Sequence, residues 1–140
     1  MEKPHVFESL NPQLERIMLT KPCVVIDLTK PAGSKTHFET EMGSKLDRAS
    51  DLLVVKGIHD IGVGVIVGRI KRRVNRNPDS HIFIYGFHKG IYALSRSLRK
   101  YKLSHGVVVS QQQLKEFGKL KNLGREVTAK ELADVLKEDL

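Results

Sequence analysis

From Leu52 to Ser110 the chain alternates extended and helical patterns joined by links of only a few residues, and this alternation restricts the fold more than any other feature. Leu52-Leu53-Val54-Val55 is an apolar run of strand length closed by Gly57. From Ile61 onward Val63, Ile66, Val67, Ile70 and Val74 recur at helical spacing, and the Asn75–Ser80 loop with Pro78-Asp79 stops that helix. His81-Ile82-Phe83-Ile84-Tyr85 is the next strand. Gly86 to Gly90 turns the chain into a helix with Ile91, Leu94, Leu98 and Tyr101 as its core stripe, and Gly106 leads into Val107-Val108-Val109. A helical crossover returns the chain in the direction it left, so such units build a mostly parallel sheet with right-handed connections.

The flanks extend this pattern. Asn11-Pro12 is a helix start, with Asn as the cap and Pro in the first turn, and Leu14, Ile17 and Met18 give that helix an apolar side. Cys23-Val24-Val25-Ile26-Asp27-Leu28 is apolar on both faces except at Asp27, as a strand covered on both sides requires. After the turn-rich Lys30–Ser34, Thr36 and Glu39 have capping-box spacing ahead of a helix with Phe38, Met42, Leu46 and Ala49 on one stripe. Ser110 to Gln113 repeats the capping pattern, and Thr128-Ala129-Lys130-Glu131 begins a last helix bearing Leu132, Val135, Leu136 and Leu140. The expected architecture is a single α/β domain over 1–140. It has a helical lead-in at 1–20, an α/β core of about four strands at 22–123, and an extra helix at 126–140. Gly64 and Gly68 lie four apart on one helix, where glycine costs about 1 kcal/mol relative to alanine, so both predict a close backbone approach by a neighbouring element.

Composition narrows the classes. Cys23 is the only cysteine, which excludes a disulfide framework and reads as a buried thiol in a reducing compartment. No apolar stretch has the ~18 residues of a membrane span, and no signal-peptide core follows the polar N-terminus, so a cytoplasmic location is expected. The net charge of +8 attracts nucleic acid or another acidic partner at long range, and it is clustered. Arg69, Lys71, Arg72, Arg73 and Arg76 form one group, Arg96, Arg99, Lys100 and Lys102 a second, and Lys115, Lys119, Lys121 and Arg125 a third. Charge runs of this kind also serve simply as solvated outer faces of helices. Oligomeric state is not legible.

In a parallel α/β sheet, binding residues gather at the carboxyl edge of the strands. That edge would hold Asp27, Gly57-Ile58-His59-Asp60, Gly86-Phe87-His88-Lys89 and Ser110. Asp27, His59, Asp60 and His88 are of the types that ligate metals or move protons, which admits a small enzyme. No His-Glu-x-x-His, paired-cysteine, Gly-x-Ser-x-Gly or Walker pattern is present, and Gly62-x-Gly64-x-x-x-Gly68 misses the dinucleotide spacing by one residue. No cofactor or metal is therefore expected. His5, His37, His81 and His105 read as surface or strand-edge residues, and Tyr85, Tyr92 and Tyr101 as packing residues rather than as a stacking platform for single-stranded nucleic acid.

The strand, Gly-containing turn and Ile61-Gly62-Val63-Gly64-Val65-Ile66-Val67-Gly68-Arg69 resemble the core of the STAS domain found in anti-sigma factor antagonists and sulfate transporters. His81–Gly86, the helix through Leu94 and Leu98, and Val107–Val109 follow that family's order of elements, so the likeness spans about Val24 to Leu123. It implies a non-catalytic regulatory module that binds a macromolecular partner through the 57–73 turn and helix. His59 and Asp60 would make polar contacts, Gly62 and Gly64 would permit close approach, and Arg69, Arg72 and Arg73 would face an acidic partner. Asp60 stands where the family carries a phosphorylated serine, and a carboxylate presents its charge permanently. Leu53-Val54-Val55-Lys56-Gly57 and the apolar helix after it also look like the core of Alba-type nucleic-acid-binding proteins. That likeness implies nucleic-acid binding, and since phosphate attraction requires only positioned Lys and Arg and not a particular fold, the basic helices would make the contacts through Lys71, Arg72, Arg73, Arg76, Arg96, Arg99, Lys100 and Lys102.

Overall fold

The computed structural model describes residues 5–7, 10–27, 33–56, 62–86 and 91–109. The turn at 57–60, His88 and everything from Ser110 on, including the expected C-terminal helix, lie outside the described residues. Strands β1 (His5–Phe7), β2 (Cys23–Asp27), β3 (Leu52–Lys56), β4 (His81–Tyr85) and β5 (Gly106–Val108) form one sheet in the order β1-β5-β4-β2-β3. Every pairing is parallel, as the crossover pattern predicts. Among the described residues the sheet has one strand more than the roughly four expected from the sequence, because His5–Phe7 docks on β5 beside Gly106–Val108.

Helices α1 (Pro12–Thr20) and α2 (His37–Met42) lie on one side of the sheet, and α3 (Val63–Arg76) and α4 (Ile91–Lys100) on the other. The chain moves one way across the sheet through α1 and α2 and the opposite way through α3 and α4, so right-handed crossovers reach opposite faces. Strand alternation divides the core accordingly. Val24, Ile26, Val55, Ile82, Ile84 and Val107 meet Ile66, Val67, Ile70, Leu94 and Leu98 of α3 and α4. Cys23, Val25, Phe83, Tyr85 and Val108 meet Leu14, Met18, Phe38 and Met42 of α1 and α2. All of β2 is buried, as its apolar run implies, and burial pushes the Cys23 thiol up to about 12, leaving it a protonated core group.

The caps follow the sequence signals. Asn11 Oδ1 accepts from Leu14 N at 2.9 Å, and Thr36 and Glu39 form a complete capping box. The helix expected to continue to Ala49 instead ends at Met42, because Gly43 takes φ +55, and a 3-10 turn over Gly43–Arg48 follows. The Gly64 and Gly68 expectation fails: a Cβ at either position would meet nothing within 4 Å, so no neighbour approaches them. The close approach is at Gly106, where a Cβ would stand 2.8 Å from Phe7 Cε2 and 3.1 Å from Phe83 Cδ1. Among the described residues no helix is long and apolar enough to cross a membrane.

Candidate functional site

The order β1-β5-β4-β2-β3 has its topological switch between β2 and β4, since the chain leaves those neighbours toward helices on opposite faces. Asp27 and Tyr85 are register partners at that point. Both are committed to the fold. Asp27 is fully buried and its Oδ2 accepts from Phe38 N at 2.8 Å, holding the first turn of α2. The Tyr85 hydroxyl donates to Glu41 Oε2, and burial with the adjacent carboxylates of Glu41 and Asp27 keeps the phenol protonated far above its ordinary range. Lys56 Nζ donates to Glu39 Oε1 at 2.9 Å, and that bond holds the Glu39 carboxyl below its usual range. The polar groups described at this rim thus anchor α2. His59, Asp60 and His88 lie outside the described residues, and among the described residues no group of three or more His, Cys, Asp or Glu is placed to hold a metal.

The last-turn members of the first two basic clusters occupy the opposite end of the molecule. Crossover helices run antiparallel to the strands, so the last turns of α3 and α4 reach the amino edge of the sheet. Arg73 marks the position: Nη2 donates to the backbone oxygen of Asp51 at 3.1 Å and pairs with the Asp51 carboxylate, just ahead of β3. Arg73 is 13% exposed and ties α3 to the sheet, so it serves the structure before any partner. Arg69, Arg72, Arg76, Arg96, Lys100 and Lys102 are exposed. Lys71 and Arg99 are partly buried. Lys71 Nζ sits 3.2 Å from the centroid of the Tyr101 ring and so bridges α3 to the end of α4. The first two basic clusters, separate in sequence, therefore lie side by side, while the third lies outside the described residues.

Charge is segregated by layer. Between Gly62 and His105 the sequence holds Arg69, Lys71, Arg72, Arg73, Arg76, Lys89, Arg96, Arg99, Lys100 and Lys102 against Asp79 alone. On the α1–α2 side acids and bases pair, as Lys45 does with Glu15 at 3.1 Å and Lys56 with Glu39 at 2.9 Å. The segment from Gly62 to His105, which includes α3 and α4, thus carries the excess of the whole chain. At the other end of α3, Gly62, Gly64 and Val65 are exposed and unobstructed, Val65 by 53%.

Two residues differ from their expected settings. His105 is buried rather than on the surface: its Nε2 lies 2.7 Å from Ser95 Oγ and its Nδ1 3.1 Å from the Leu103 oxygen. Burial, helped by the Arg99 charge, lowers its affinity for a proton despite the carbonyl contact that favours protonation. Tyr101 is not a core residue but 47% exposed, because the chain turns out of the helix after Lys100 and carries the ring off the apolar stripe. No family model, curated protein or solved structure matches the chain.

Proposed function

We propose that the α3–α4 layer binds nucleic acid through its phosphates. The observation that carries this reading is the juxtaposition of Arg72, Arg76, Lys100 and Lys102 at one end of a layer whose sequence contains a single acid, Asp79. Basic residues in the last turn of a helix also offset the helix dipole, worth about 0.3–1 kcal/mol each. That role does not account for Arg69 and Arg96, which stand a turn or more from the helix ends and extend the positive surface along both helices. A net positive field of this kind raises the local concentration of a polyanion and gives up counterions on binding.

A regulatory module with an acidic protein partner is the second reading, favoured by the exposed Val65 beside Gly62 and Gly64, which offers an apolar contact next to Arg69. One titration separates the two. Affinity for a labelled oligonucleotide is measured across salt concentrations, and log affinity should fall linearly with log salt by about 0.7–0.9 for each phosphate contacted. Replacing Arg72, Arg76 and Lys100 together by Gln should flatten that slope by about two to three. Absence of binding at low salt removes the nucleic-acid reading.

A further inference from the structure

The basic end of the molecule carries an aromatic ring, and that ring is held in place. Tyr101 and Val65 are the large apolar residues left exposed among the described residues, and only Tyr101 lies at the basic end. Its backbone is fixed by the helix terminus: Leu103 N donates to Leu98 O at 2.8 Å and Lys102 N to Arg99 O at 3.0 Å. These are the two bonds of a Schellman cap, with Leu98 and Leu103 as its apolar pair. Such a cap needs a left-handed residue where glycine is the usual choice, and here Lys102 takes φ +59. The chain thus accepts a disfavoured backbone conformation and places a lysine beside the tyrosine. Lys71 covers one face of the ring from α3, and Arg72, Lys100 and Lys102 stand exposed around this end.

We infer that this surface takes single-stranded nucleic acid, with a base stacked on Tyr101 and the flanking phosphates on Lys102, Lys100 and Arg72, an inference that rests on the nucleic-acid reading of the basic layer. Bases in a duplex present their edges and keep their faces stacked, whereas a single strand offers a face to an exposed ring. Basic side chains around an aromatic platform are the arrangement by which single strands are held without sequence preference. Phosphate contacts and the cap alone would leave the exposed part of the Tyr101 ring without a ligand role.

The test uses the full chain with a labelled oligothymidylate and a mixed-sequence duplex of equal length at one salt concentration. The single strand should bind more tightly. Tyr101→Ala should weaken single-strand binding roughly tenfold and leave duplex binding unchanged, while Tyr101→Phe keeps the affinity. Lys102→Gly should raise the melting temperature by relieving the left-handed lysine and at the same time weaken single-strand binding. Equal binding of both ligands, or a Tyr101→Ala chain that holds the single strand as well as the native one, overturns the stacking site and leaves the basic layer standing. Binding of neither ligand overturns both readings.

Discussion

His105 is a histidine folded into the junction between α4 and β5 with Ser95 and the Leu103 carbonyl as its neighbours. If the Leu103 oxygen accepts from Nδ1, Nε2 is left to accept from the Ser95 hydroxyl, and a proton on Nε2 would oppose that bond. The folded chain therefore holds His105 neutral below the pH at which the unfolded chain protonates it. The stability this contributes is complete above about pH 6.5 and is lost as pH falls toward the lowered folded value, at up to about 1.4 kcal/mol per pH unit. Urea unfolding at pH 6.5 and pH 5.5 should show a fall in midpoint that His105→Gln reduces. Cys23 was legible as a core thiol because its neighbours are all apolar. Tyr101 and His105 were not: the helical stripe put Tyr101 inside, and an isolated histidine reads as a surface residue. The cap at Lys102 redirects the chain between them, and a lysine gives no sequence signal for a left-handed turn.

At the level of elements, the caps written into Asn11-Pro12 and Thr36–Glu39 form where the sequence puts them, because each depends on residues within a single turn. Asp27 is the contrasting case, since its capping bond to Phe38 spans a loop and only the fold brings the two together. Gly64 and Gly68 show the limit of reading glycine as a sign of packing. Both sit in α3 with open space where a methyl group would go, so Gly64→Ala and Gly68→Ala should each stabilise the protein by about 0.5–1 kcal/mol in chemical denaturation. A loss of stability would mean that a neighbour does approach the helix. These substitutions remove no charge, so the salt dependence of nucleic-acid binding should be unaffected.

Over the whole molecule, parallel wiring was legible because short links between strands and helices leave few alternatives. The order of strands was not, since apolar runs of similar length are interchangeable until helices and side chains select neighbours. The candidate sites divide along the same line. The rim expected from the sequence contains Asp27, which is used for helix anchoring, whereas the first two basic clusters come together only through the packing of α3 beside α4. The sheet order also predicts where stability resides: β2 and β4 have partners on both sides, and β3 and β1 form the edges. Native-state hydrogen exchange should find the amides of Val24 to Ile26 and Ile82 to Ile84 slowest, with His5 to Phe7 opening first.

The seating of β1 on β5 has a consequence for synthesis. His5 to Phe7 are translated about a hundred positions before the residues they pair with, Gly106 to Val108. Until then the opening strand has no template, and β4 presents a bare flank along Phe83 to Tyr85. A nascent chain interrupted ahead of Gly106 would carry adhesive backbone in both places, so the last of the described strands to be made is the one that joins β1 to β4.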